Sequence, residues 1–115
     1  MREPTFFVLA ALAHQKMHGY AIIQEAAALS DGRIELKTGT LYAALDRLTR
    51  QGLIAAAGEE VVDGRNRRYY ELTVDGAACL EHEVSRMEAK ARSARARLVA
   101  RATATATAPS VGAVA

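Results

Sequence analysis

The sequence predicts a mainly α-helical chain carrying one small β-hairpin, and three observations support that expectation. Apolar residues recur at helical spacing in three separate stretches before residue 50. A single Asp63-Gly64 pair then sits between two strand-like runs, the mark of a tight hairpin turn. From Thr73 onward a long helical pattern returns, with apolar positions alternately three and four residues apart.

Taken in order, Pro4 suits the first turn of a helix, and Phe6, Phe7, Leu9, Ala10 and Ala13 give that helix a broad apolar surface. His18-Gly19 interrupts it. A second helix is expected from about Tyr20 to Leu29, with Ile22, Ile23, Ala26 and Leu29 at helical spacing. Ser30-Asp31-Gly32 ends it, and Arg33 to Leu36 is short enough for a small strand or an extended link.

Thr38 reads as the N-cap of a third helix, its hydroxyl turned to the free amides of the first turn. Leu41, Ala44, Leu45 and Leu48 repeat at i, i+3, i+4 and i+7 and bury one face, and Gly52 supplies a left-handed stop. Leu53 to Val62 reads as a strand weakened by its alanines; Asp63-Gly64 turns, and Arg67 to Leu72 returns as its partner. Thr73 caps a last helix reaching about Leu98 or beyond. The Ala/Thr-rich stretch from Arg101, with Pro109 and Gly112, reads as a disordered tail. The order helix, helix, link, helix, hairpin, helix is that of a winged helix-turn-helix. It assigns residues 1–73 to that domain, 74–100 to a C-terminal dimerisation helix and 101–115 to the tail.

Composition narrows the function. A chain of 115 residues that is 50% hydrophobic makes one domain with a small core, a size that often leans on a partner subunit. The formal net charge of +2 says nothing about nucleic acid by itself. Arrangement says more: Arg65, Arg67 and Arg68 fall within four positions, and Lys90, Arg92, Arg95, Arg97 and Arg101 crowd the last helix. The acidic residues read as dispersed elsewhere, leaving a basic face. Cys79 stands alone, which excludes an intrachain disulfide framework and suits a reducing cytoplasm. No apolar run approaches the ~18 residues of a membrane span. Glu3 and Pro4 before the apolar Phe6–Ala13 stretch are not the basic lead of a signal peptide. The expectation is a cytoplasmic protein with no membrane partner.

The third helix and the hairpin together point to double-stranded DNA. A helix N-terminus offers unpaired amides and a positive dipole end to phosphate. Gly39 in that first turn costs roughly 1 kcal/mol of helix stability against alanine, and permits close backbone approach. Thr40, Ala43, Arg47 and Arg50 lie off the apolar stripe, and Tyr42 flanks it. Thr38, Thr40 and Tyr42 fit phosphate or base-edge contacts, while Lys37 and Arg47 fit phosphate or guanine. The hairpin tip adds Arg65, Arg67 and Arg68 on a ribbon able to enter a minor groove or straddle a phosphate. Capping, packing and solvated charge explain some of these residues equally well. Edge strands also carry one or two cations against aggregation, although three are harder to explain that way. Of Tyr69 and Tyr70, one must face inward, because strand neighbours alternate.

These residues resemble the PadR-type family of bacterial transcriptional repressors. The matching words are His18-Gly19-Tyr20, Gly39-Thr40-Leu41-Tyr42, Leu45-Asp46-Arg47-Leu48, Gly52-Leu53-Ile54 and the run from Gly64 through Asn66 to Thr73. They keep the family's order and intervals over most of residues 5 to 98. The resemblance implies a dimeric winged-helix repressor on an inverted-repeat operator, with one C-terminal helix serving dimerisation. Carried over by position, it places Tyr20, residues 38–42, Arg47 and the wing residues Arg65 to Arg68 toward DNA. Family members often have proline where Ala43 and Asn66 stand, a change that loosens the backbone without removing a contact group. The absence of tryptophan removes the stacking pair with which some relatives hold flat aromatic drugs.

Along the last helix, Ala77, Leu80, Val84, Met87, Ala91, Ala94 and Leu98 form a heptad seam, and Phe6 and Phe7 are expected to join the same dimer interface. Parallel pairing would set Glu83 near Glu88 and Lys90 near Arg95. Antiparallel pairing sets Glu81 near Arg95 and Glu83 near Arg97, so an antiparallel or crossed homodimer is expected. The seam could instead pack on the chain's own first helix.

Three other readings carry less. Cys79 and His82 lie three apart on a helix, but four ligands at a familiar spacing are missing, and Cys79 reads as a small apolar filler. No nucleophile motif or phosphate-cradling glycine loop suggests an enzyme, and no cofactor is implied. A winged helix that binds only protein, as an adaptor module, is the main alternative. A small-molecule effector is compatible with this organisation, and no residue pattern names its chemistry.

Overall fold

The computed structural model describes residues 1–107. Its elements are α1 (Glu3–Leu12), β1 (Met17–His18), α2 (Gly19–Leu29), α3 (Thr38–Arg50), β2 (Ile54–Val62), β3 (Arg65–Leu72) and α4 (Val74–Thr107). The chain divides into two compact units, one spanning Met1–His82 and the other beginning at Glu83. The first turns of α4 fall within the first of these units.

The core of the first unit is apolar side chains from every layer. Val8, Leu9 and Leu12 of α1, Ile22 of α2, and Leu41, Leu45 and Leu48 of α3 close on Ile54 and Tyr70 of the sheet. Each fully buried aliphatic side chain contributes about 1.5–3 kcal/mol, so these helices are held by burial more than by intrinsic propensity. Of the adjacent tyrosines, Tyr70 is the inward one and Tyr69 is half-buried. Among the described residues, no buried side-chain polar atom lacks a hydrogen-bond partner, so chemistry has to be sought at the surface.

The sheet has three antiparallel strands in the order β1-β3-β2. The two-residue β1, absent from the sequence reading, pairs Met17 with Tyr70 and His18 with Tyr69. Strand β3 begins at Arg65, two residues before the expected start, because the turn is as tight as a hairpin allows. Asp63 and Gly64 both take positive φ, 51° and 76°, matching the right-handed twist of the strands they join. A bulge between Ala56 and Glu59 shifts the register between the body of the hairpin and its tip.

Two helix ends differ from expectation. Helix α3 takes Lys37, not Thr38, as its N-cap, and no side chain caps it. The Lys37 carbonyl already accepts from Leu41 N–H at 2.9 Å, so Thr38 lies within the first turn and its hydroxyl cannot act as the cap. Helix α4 continues through Arg101 to Thr107, where a disordered tail was expected. Alanine is the strongest helix former, and a helix already running needs only propagation to cross an Ala/Thr stretch. The rest of the expected tail, residues 108–115, lies outside the described residues.

The α4 start is well anchored. Thr73 Oγ1 accepts from Gly76 N–H at 3.0 Å and donates to the Gly52 carbonyl at 2.7 Å, joining the cap to the stop of α3. Thr73→Ala is expected to cost about 1–2 kcal/mol, read as a lower denaturation midpoint at unchanged m-value.

Candidate nucleic-acid interface

The exposed surface of the first unit gathers the residues singled out by sequence into two groups, one on each flank of α3. On one flank, a cleft of about 420 Å³ is lined by His18, Gly19, Tyr20, Tyr42 and the wing residues Arg65 to Arg68. Tyr20 and Tyr42 are 65% and 44% exposed, large for aromatics and unexplained by the core. On the other flank, Thr40 and Arg47 line a groove with Arg2 and Thr5, and Arg47 Nη2 donates to Thr5 Oγ1 at 3.0 Å. Arg47 is thus held toward α1 and does not join the tyrosine–wing cleft. Lys37, Thr38 and Gly39 are exposed at the uncapped N-terminus of α3, between the two flanks.

Gly19 explains how Tyr42 reaches the cleft. A Cβ at Gly19 would stand 2.6 Å from the Tyr42 hydroxyl and 3.3 Å from Leu41 Cδ2. Only a residue without a side chain lets the α3 tyrosine lie against the start of α2. His18 sets that start from the other side, its Nδ1 accepting from Ala21 N–H at 3.4 Å. Gly19→Ala is expected to push the tyrosine aside while leaving the fold intact, since the clash is with the end of a flexible side chain. Duplex affinity should then fall roughly fivefold to tenfold, about 1 kcal/mol. Unchanged affinity would remove Tyr42 from the interface.

The wing corrects one expectation. Its acids are not elsewhere: in register, Glu59 faces Arg68 and Glu60 faces Arg67. Arg68 Nε pairs with Glu59 at 3.3 Å, with both side chains more than half exposed. Hydrogen bonding to Tyr70 and then to Glu59 moves the Arg68 pKa further up. The Glu60 carboxylate accepts from the Tyr69 hydroxyl at 2.8 Å, which raises the phenol above its ordinary pKa, against the opposing pull of Arg67. Lys16 lies 5.6 Å from the centre of the Tyr69 ring and His18 packs edge-on against it. Among the described residues, Arg65 and Arg67 make no ion pair. The ribbon is close to neutral overall, with Arg67 and Arg68 set against acids on the strand opposite.

A model of the PadR-like family of transcriptional regulators matches residues 8–82, well over half the chain. The chain belongs to the PadR-like family. Transcriptional regulator Rv3488 of Mycobacterium tuberculosis is 38% identical over 85 residues, 74% of this chain and 76% of that protein. A PadR family regulator from Clostridium difficile R20291 superposes with a TM-score of 0.69 at 26% identity, covering 84% of this chain and 99% of that one. Bacillus subtilis PadR, solved in complex with operator DNA, superposes with a TM-score of 0.64 over 72% of this chain and 47% of its own. Its 21% identity speaks to the fold alone. The chain is therefore a PadR-family transcriptional regulator with a winged-helix unit and a long C-terminal helix.

Sequence reasoning missed His18 and Gly19 as cleft residues, although both stand in the quoted His18-Gly19-Tyr20 word. The seam residues divide. Leu80 packs partly on the core and Val84 is half-buried, whereas Met87 and Leu98 are 44% and 56% exposed. Phe7 packs on the core, and Phe6 meets it edge-on at 5.2 Å. No helix among the described residues is long and apolar enough to cross a membrane, and none of their His, Cys, Asp and Glu side chains form a group of three or more able to hold a metal ion.

Proposed function

We propose that this PadR-family regulator is a cytoplasmic repressor that binds an inverted-repeat DNA operator as a homodimer. The observation that carries the reading is the cleft in which the exposed Tyr20 and Tyr42 meet the arginine-bearing edge of the wing, beside the uncapped N-terminus of α3. Bare amides and the positive dipole end suit a phosphate, the tyrosine hydroxyls donate to phosphate oxygens, and the wing arginines follow the backbone outward. The solved complex of Bacillus subtilis PadR with operator DNA supports the same use of this fold.

The dimer reading rests on α4. Met87 and Leu98 lie exposed on its heptad seam. Charge is polarised along the helix: Asp75, Glu81, Glu83 and Glu88 lie before Lys90, with Arg86 the one cation among them, paired to Glu83 at 3.2 Å, and from Lys90 on come Arg92, Arg95, Arg97 and Arg101 with no acid. An antiparallel pair sets these halves against each other, while apolar burial supplies most of the affinity.

Selecting bound fragments from the source genome and footprinting the best of them tests both parts. Protection of two symmetric half-sites supports the proposal. A single asymmetric patch contradicts the dimer, and recovery of no fragment contradicts DNA binding.

A further inference from the structure

We propose that Asp46 is a base-reading residue, selecting a cytosine at one position of each operator half-site. The inference rests on the DNA-binding reading above and adds a source of sequence preference beyond the wing and the helix N-terminus.

Helix α3 has four distinct faces. Leu41, Ala44, Leu45 and Leu48 are buried, and the face opposite them is Gly39, Ala43, Asp46 and Arg50, spaced four, three and four residues apart. All four are exposed. Between this line and the buried stripe lie the two flanks, Tyr42 beside the wing and Thr40 with Arg47 beside Arg2. An α-helix about 10–12 Å across fits a major groove about 12 Å wide, which then has a phosphate backbone on each side and base edges at its floor. The two flanks carry hydroxyl and guanidinium donors suited to the two backbones. The remaining line, with Asp46 at its centre, is left for the floor.

Asp46 is the one acid on that line and has no structural task. Among the described residues it makes no hydrogen bond and no ion pair, even with Arg50 one turn further on. A carboxylate between two phosphate backbones is repelled unless a donor meets it. At the floor of a major groove, the donors are the amino groups of cytosine and adenine. Adenine sets its N7 acceptor beside that amino group, which repels a carboxylate, whereas cytosine offers its amino group with no adjacent acceptor on the same base. The geometry and charge therefore favour cytosine.

The test is selection from a random-sequence duplex library by the full-length protein and by Asp46→Ala and Asp46→Asn, with circular dichroism confirming that each variant is folded. Wild type is expected to enrich a C·G pair at one position per half-site, and to lose roughly tenfold in affinity when that pair becomes T·A. Asp46→Ala should lose that preference, to within about twofold, while keeping the preferences at other positions. Asp46→Asn should move it toward adenine, which pairs with an asparagine amide through N6 and N7. A wild-type motif retained unchanged by Asp46→Ala overturns the inference and leaves DNA binding standing. Failure of the wild type to enrich any duplex overturns the DNA-binding reading, and this inference with it.

Discussion

Replacing Arg65, Arg67 and Arg68 together by alanine is expected to weaken duplex binding roughly 100-fold. Each charge-assisted phosphate contact is worth on the order of 1 kcal/mol after desolvation, and about 3 kcal/mol in total corresponds to a factor of that size. Arg68 contributes least of the three, because its pair with Glu59 has to loosen before a phosphate can take its place. Removing the cations also leaves Glu59 and Glu60 uncompensated on the strand opposite, which adds repulsion. The salt dependence should change in step, the slope of log K against log salt falling in magnitude by about 3. All three side chains are exposed, so thermal stability and subunit association should stay at wild-type values. Wild-type affinity in the triple variant would remove the wing from the interface.

Gly76→Ala is expected to be the most damaging single change to the fold. Gly76 is buried in the first turn of α4, and a Cβ there would run into the Leu53 carbonyl, with Leu72 Cδ1 only 2.8 Å away. That carbonyl is also the acceptor for Thr73 N–H at 3.1 Å. The obstruction is backbone, so relief requires the start of α4 to move off the end of α3, with loss of the Thr73 bonds to Gly52 and Gly76. A cost of roughly 3 kcal/mol or more follows from overpacking of this kind, enough to lower Tm by more than about 10 °C in a unit of this size. A melting curve within two or three degrees of wild type, about half a kcal/mol, would show that the junction yields easily.

Much of the architecture was legible because apolar periodicity and turn chemistry agree. The Leu41, Ala44, Leu45, Leu48 stripe, the Asp63-Gly64 turn and the Thr73 cap all stand where the pattern sets them. What escaped depends on partners distant in sequence or on local backbone detail that composition does not determine. Strand β1 is two residues long and exists only because β3 offers it an open edge. The Thr38 cap failed because a cap is decided by backbone angle at one residue, which composition does not determine. The Arg–Glu register of the wing depends on a bulge whose position shifts every pairing beyond it. The helix running to Thr107 was masked by the repetitive look of an Ala/Thr stretch, although alanine favours helix.

The candidate site was legible as a set of residue types more than as a geometry. Tyr20, Tyr42 and the wing residues come together in one cleft, while Arg47 sits on the opposite flank of α3. Spacing alone did contain the exposed line of Gly39, Ala43, Asp46 and Arg50. Its acid, Asp46, carries no cationic signal in the sequence.

Residues 1–82 hold nine Lys and Arg against eleven Asp and Glu, a formal −2, so attraction to DNA has to come from local arrangement. Titrating a duplex recovered by genomic selection with the full-length protein, from about 50 to 200 mM salt, tests this most directly. Tight binding is expected at the lower end, with a loss of roughly 10³-fold or more across the range, as several phosphate contacts release their counterions. No association with any duplex at low salt, or an affinity indifferent to salt, would contradict it.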